Sequence, residues 1–174
     1  MYKLADVLLS EEEIASKVEE LAKKIQADYE GQDILLVGIL KGASVFVADL
    51  MRKINLDVNI DFMSVSSYGS GTESSGTVKI LKDLDVDIEG KNVLIVEDII
   101  DSGATLRNLY DTLMTRNPKS LKLCTLLDKP DRRKVDIKVD YVGYEIEDKF
   151  IVGYGIDYAE KYRNLPYIAI VESE

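Results

Sequence analysis

Three stretches of the chain are apolar at nearly every position rather than at every second one: DILLVGIL (residues 33–40), KNVLIVEDII (91–100) and SLKLCTLLDK (120–129). A strand of that kind must be covered on both faces, the condition of a strand inside a parallel sheet flanked by helices. The first run passes through a short glycine turn into KGASVFVADLMRKI (41–54), where Val45, Leu50 and Ile54 suit a helix. The second passes into ATLRNLYDTLMTR (104–116), giving two strand–turn–helix units. Upstream, Ile14, Val18, Leu21 and Ile25 form one helical stripe, opened by a Ser10/Glu13 capping box and carrying Lys23 and Lys24 towards its end. VNIDFMSVSSY (58–68) alternates Val58, Ile60, Phe62 and Ser64 on one strand face, and VKILKDL, YVGYEI, FIVGYG and YIAIVE supply further strands. SSYGSGTESSGT (66–77) can build no core and reads as a flexible loop. With no fixed-period repeat and no linker, the expectation is a single α/β domain over residues 1–174, with a mainly parallel central sheet flanked by helices.

Residue usage excludes several chemistries. There is no histidine, which removes Ser-His and Cys-His hydrolysis, His-ligated zinc and imidazole general bases. The single cysteine, Cys124 within LKLCTLL, permits neither an internal disulfide nor a cysteine metal cluster and reads as a buried strand thiol. Acid–base work must fall to carboxylates, lysines or tyrosines. The balance of 22 basic and 32 acidic residues gives a net charge of −10, a surface that repels phosphate backbones and anionic lipid. The one basic cluster, KPDRRK (129–134), reads as a solvated turn rather than a nucleic-acid patch. No apolar run approaches the ~20 residues of a membrane span and no signal pattern opens the chain, so the expectation is a cytoplasmic protein binding neither membrane nor nucleic acid.

The segment VEDIIDSGAT (96–105) stands apart, because Glu97, Asp98 and Asp101 interrupt what is otherwise a buried strand. It lies at the carboxyl end of that strand, where open parallel sheets bind ligands. Residues 101–105 then form a turn into a helix. Gly103 permits close backbone approach, the first amides of the helix point outward, and two hydroxyls stand by, a setting suited to a phosphate dianion. The spacing is not that of a P-loop. Glu97 and Asp98 lie where a sugar joined to that phosphate would sit, and paired carboxylates accept well from ribose hydroxyls.

This segment resembles the phosphoribosyl-pyrophosphate signature of the type I phosphoribosyltransferases. The rest of the chain resembles their hypoxanthine (hypoxanthine-guanine) branch in its bacterial form, through VGILKGASVF, SSYGSGTESSG, LLDKP and DKFIVGYGIDYAEKYRNLPYI. The resemblance implies the type I fold, with a small hood built from the chain ends and a flexible active-site loop at about 66–77. It also implies transfer of 5-phosphoribosyl from phosphoribosyl pyrophosphate (PRPP) to N9 of a 6-oxopurine, with Mg2+, giving IMP or GMP and pyrophosphate.

The roles it implies can be placed residue by residue. Asp101 is the general base or acid near N7 of the base. Glu97 and Asp98 hold the ribose, and Asp101, Ser102, Gly103, Ala104 and Thr105 hold the sugar and its 5′-phosphate. Lys41 and Gly42, in a loop that in relatives can adopt a cis peptide before the lysine, bind pyrophosphate together with Arg163. Lys129 donates to the exocyclic oxygen at position 6, Phe150 stacks on the base, and Ile99, Ile151 and Ile156 lie near it. Asp157, with Glu97 and Asp98, serves the metal, and Ser67 and Tyr68 open the lid. Ala104 stands where mammalian-type members have lysine, and Asn164 where they have an acidic residue. The family further implies a homodimer or homotetramer, with the apolar ASVFVADLM helix as a contact.

Two rivals remain at this level. Some proteins with the phosphoribosyl signature act as RNA-binding regulators of pyrimidine genes, a role that calls for a basic face at odds with the net charge of −10. Within enzymes, a xanthine- or adenine-preferring transferase is the nearer alternative.

Overall fold

The computed structural model describes residues 2–67 and 78–173. In chain order its elements are β1 (Tyr2–Leu9), α1 (Glu11–Asp28), β2 (Ile34–Ile39), α2 (Ser44–Met51), β3 (Val58–Ser67), β4 (Val78–Lys82), β5 (Asn92–Ile100), α3 (Ala104–Met114), β6 (Ser120–Asp128), a 3-10 turn (Pro130–Arg132), β7 (Tyr141–Glu145), β8 (Ile151–Val152) and β9 (Ile168–Ser173). The three doubly apolar runs become β2, β5 and β6, side by side in a six-stranded sheet of order β4-β3-β2-β5-β6-β7. All its neighbours pair in parallel except β3 and β4. One face packs on α1 and α2 through Ile14, Val18, Phe46, Leu50, Leu36 and Val96. The other packs on α3 through Leu106, Leu109, Leu113, Val37 and Ile95. Every residue of β2 is buried, as its uninterrupted apolarity requires.

The chain ends form a second sheet, β1-β9-β8, the expected hood. Leu9, Ile151, Tyr154 and Ile168 of the hood region share a hydrophobic cluster with α1 and the main sheet. β1 carried no strand pattern in sequence. Lys3 and Asp6 are exposed, only Leu9 is buried, and its pairing with β9 is broken by register shifts. Its structure comes from the partner strand rather than from alternation.

Several expectations change. β5 is not interrupted at its carboxylates: pairing with β6 continues past Glu97↔Thr125 to Ile100↔Asp128, whereas pairing with β2 stops at Gly38↔Val96. Glu97 and Asp98 therefore lie within a strand that has lost one neighbour. On β3 Val58 and Phe62 pack partly buried against the α1–α2 side of the core, while Ile60 is 40% exposed and the buried residues are Asp61 and Met63 on the other face. Asp61 is buried because it accepts from the backbone amides of Phe62, Asp85 and Val86. α2 is shorter than expected. Ile54 lies beyond its end, and its buried residues are Phe46, Val47 and Leu50 rather than Val45. Those side chains are inside the chain's own core, while Val45 and Met51 are only partly buried and Ala48 is exposed. The loop expected at 66–77 lies outside the described residues from position 68 onward, Tyr68 included; Ser67 ends β3.

The N-terminal cap of α1 is as read. Ser10 Oγ accepts from the Glu13 amide at 3.1 Å and Glu13 Oε1 accepts from the Ser10 amide at 3.3 Å. Ser10→Ala is expected to lower the unfolding free energy by about 1 kcal/mol, measured by urea denaturation; an unchanged midpoint would show that the cap contributes nothing.

Candidate active site

β5 ends beside β6, so Asp101 and Lys129, each just beyond its strand, are brought together. The Lys129 amide donates to the Ile100 carbonyl at 3.0 Å, and its Nζ lies 3.7 Å from Asp101 Oδ1 and 3.6 Å from Asp148 Oδ1. Lys129 is 8% exposed, and a buried ammonium needs such partners. Asp101 itself is exposed. Beyond it, Gly103 is the N-cap of α3 with φ 80°, a left-handed conformation that glycine adopts without strain. A Cβ there would meet Arg133 Cδ and Ile137 Cγ2, each at 3.2 Å. The Ala104 amide is held by Ser102 Oγ at 3.3 Å. Glu97, Ile99, Asp101, Ser102, Gly103 and Thr105 line one cavity of about 250 Å³, with Val65 of β3 opposite. Larger space, about 530 Å³ around Gln32, Asn59 and Lys119, opens at the amino end of the sheet, and none of the candidate site residues lines it.

Glu97 and Asp98 are half-buried neighbours. Burial, and then the Asp98 charge, pushes the Glu97 carboxyl well above the ordinary carboxylate range. Burial also raises Asp98, opposed by the Ile99 amide that donates to it at 2.7 Å. Two adjacent carboxyls that resist full ionisation are suited to hydroxyl donors or a hard cation.

A chain of close contacts runs from Asp98 to the remaining candidates. A Cβ on Gly42 would lie 1.9 Å from Asp98 Oδ2, and one on Gly155 would lie 2.2 Å from the Gly42 carbonyl oxygen. Only two residues without side chains permit this stacking of β5, the β2–α2 loop and the loop after β8. The Leu40–Lys41 peptide in that loop is cis. Arg163, half-buried, donates to the Gly155 carbonyl at 2.7 Å and lies 3.3 Å from Asp157 and 3.2 Å from Glu160. Its Nε is buried without a hydrogen-bond partner, so one donor remains unsatisfied. Lys41 also reaches Glu160, at 3.1 Å. Glu160 is thus the anion that two cations share, and their hydrogen bonds, Lys41 first, hold its carboxyl below the usual range. Around them Tyr154, Ala159, Glu160 and Tyr162 all have positive φ, a cluster of strained backbone of the kind found where a loop serves a ligand.

Phe150, 44% exposed, is not a core residue. Its ring meets Tyr158 at 5.3 Å and Tyr2 at 6.2 Å, both edge-on, which leaves it held from the side. Ile151 is buried, and Ile99 and Ile156 pack partly buried against the same cluster. Asp157 is not gathered with Glu97 and Asp98: among the described residues no group of three or more His, Cys, Asp or Glu could hold a metal ion. The donors are all oxygen, however, and a hard ion completed by substrate oxygens and water fits either carboxylate position. Cys124 is buried, which raises its thiol well above the ordinary value.

Glu160, Asp148, Tyr158 and Arg133 were not singled out in sequence. All four lie inside a quoted stretch, but only the fold shows which partner each one meets. KPDRRK is not merely a solvated turn. Lys129 is buried, and Arg133 is ion-paired to buried Asp128.

The model of the phosphoribosyl transferase domain matches residues 5–159. The chain is 56% identical over 168 residues to the bifunctional protein TilS/HprT of Listeria innocua, and spans 26% of that protein's length. With the hypoxanthine-guanine phosphoribosyltransferase of Bacillus subtilis it shares 54% identity over 171 residues, 98% of this chain and 95% of that one. A crystal structure of a hypoxanthine-guanine phosphoribosyltransferase from Bacillus anthracis, with a HEPES molecule in its active site, superposes with a TM-score of 0.94 at 57% identity, covering 99% of this chain and 100% of that one.

Proposed function

Because this chain belongs to the phosphoribosyl transferase family, we propose that residues 1–174 act as one domain that moves 5-phosphoribosyl from PRPP to N9 of hypoxanthine and guanine, giving IMP or GMP and pyrophosphate. The observation that carries the base assignment is the placement of Lys129 Nζ 3.7 Å from Asp101 Oδ1. A 6-oxopurine presents N7 and O6 side by side on one edge. An ammonium and a carboxylate at neighbouring strand ends match that edge, the lysine donating to O6 and the aspartate exchanging a proton at N7. Adenine would set an amino donor against the lysine.

The reaction follows from these positions. The lone pair of N9 forms the bond to the sugar carbon C1′ as the bond from C1′ to the pyrophosphate oxygen breaks, and Asp101 takes the proton leaving N7. Positive charge that builds on the sugar lies near Glu97 and Asp98, which accept from the ribose hydroxyls. Ser102, Gly103, Ala104 and Thr105 hold the 5′-phosphate at the start of α3. Lys41, the Gly42 backbone and Arg163 take the pyrophosphate, releasing Glu160 from the place an anion would occupy. Phe150 stacks on the base, with Ile99, Ile151 and Ile156 around it, and keeping water from the sugar is the role that the family resemblance gives the segment opened by Ser67 and Tyr68. Mg2+ would be held by Asp157 near the base side and by Glu97 and Asp98 near the ribose, where it supplies charge neutralisation for the pyrophosphate. The same reading carries a homodimer or homotetramer and a cytoplasmic setting; no helix among the described residues is long and apolar enough to cross a membrane.

Lys129→Gln tests the base assignment. It should raise KM for hypoxanthine by ~10- to 10²-fold, the worth of a hydrogen bond from a charged donor, with little change in KM for PRPP. Equal changes in both would remove Lys129 from base recognition.

A further inference from the structure

Beyond Lys129, the basic cluster at 129–134 has no role in the reaction described above, yet Arg133 and Lys134 form the back wall of the turn at 101–103. Arg133 forks. One Nη donates to Asp128, which is 6% exposed at the end of β6, and Nε donates to the main-chain carbonyl of Asp101 at 3.3 Å. Its Cδ packs against Gly103, and the next amide, that of Lys134, donates to the Ser102 carbonyl at 2.9 Å. Two successive carbonyls of the turn are therefore tied to the same strut. In a trans peptide the carbonyl and the following N–H point in opposite directions. Fixing the carbonyls of Asp101 and Ser102 from behind aims the amides of Ser102 and Gly103 the other way, towards the cavity lined by residues 101–103 and Thr105.

We propose that Arg133, anchored by Asp128, is a positioning residue for the phosphate of PRPP: it presets the amides of the turn and touches no substrate itself. The proposal rests on the reading that this turn holds the 5′-phosphate. A guanidinium is needed because a lysine cannot reach the carboxylate and the carbonyl in one planar fork. The pair could instead be a buried ion pair that only stabilises the fold, and two variants separate these roles. Arg133→Lys keeps the charge opposite Asp128 but loses the second donor. The double variant Asp128→Leu/Arg133→Leu removes both charges together, a replacement that often leaves stability unchanged or improved.

The experiment measures thermal midpoint and the KM values for PRPP and hypoxanthine in the intact chain with Mg2+, for both variants and for Thr105→Ala as the control on the phosphate turn. A positioning role predicts midpoints close to wild type, KM for PRPP raised by about tenfold or more, and KM for hypoxanthine moved far less. Wild-type PRPP kinetics in both Arg133 variants, with Thr105→Ala impaired, would overturn the strut and leave the phosphate turn standing. A Thr105→Ala enzyme with unchanged KM for PRPP would overturn the reading beneath it, and the inference with it.

Discussion

Replacing Asp101 by asparagine is expected to lower turnover by about 10²- to 10⁴-fold while the fold stays intact. Asparagine has the same shape, and the side chain is exposed, so no buried charge is lost. The turn keeps its shape because its link to Arg133 runs through the Asp101 main-chain carbonyl, not the carboxylate. Lys129 loses one of two carboxylate neighbours but retains Asp148 at 3.6 Å. What disappears is the one acceptor placed to take the N7 proton. Pre-steady-state kinetics with far-UV circular dichroism would separate the two effects, and near-normal turnover would remove Asp101 from the mechanism.

Gly42→Ala is expected to cost about 10²-fold in kcat/KM, the usual penalty for misplacing reacting groups by about an ångström. The added carbon would lie 1.9 Å from Asp98 Oδ2, a separation no real contact allows. The loop cannot retreat freely, because the Gly42 carbonyl is already stacked against Gly155. Asp98 is the softer side, so its carboxylate turns away from the ribose position, while Glu97 and the phosphate turn stay in place. The loss should appear with either base, since neither Lys129 nor Phe150 is disturbed. An alanine enzyme within about threefold of wild type would mean that Asp98 contributes no position that matters.

Much of this was legible before the fold was known, for identifiable reasons. β2, β5 and β6 announce themselves because a strand buried on both faces has to be apolar throughout, and α1 because its stripe and its capping box coincide. The phosphate turn is local: ten consecutive residues carry the strand end, the glycine and the helix start. β1 was not legible, since its order comes from pairing with β9, a strand at the other end of the sequence, and not from any pattern of its own. The burial of Asp61 on β3 was not legible, because the backbone amides of 85 and 86 that hide it come from a later loop. The same limit applies in the site. Lys41, Arg163 and Glu160 form one charge cluster across about 120 residues of sequence, and the role of Arg133 depends on a carbonyl 32 residues earlier, contacts that no spacing reports.

The most direct test is the initial rate of pyrophosphate release by the wild-type chain with PRPP and Mg2+, offered hypoxanthine, guanine, xanthine, adenine and uracil in turn. Turnover should appear with hypoxanthine and guanine, with adenine and uracil at background, as an ammonium facing O6 requires. Turnover confined to adenine or uracil would contradict the pairing of Lys129 with Asp101 as the base-reading edge, and no release with any base would contradict the transferase account as a whole.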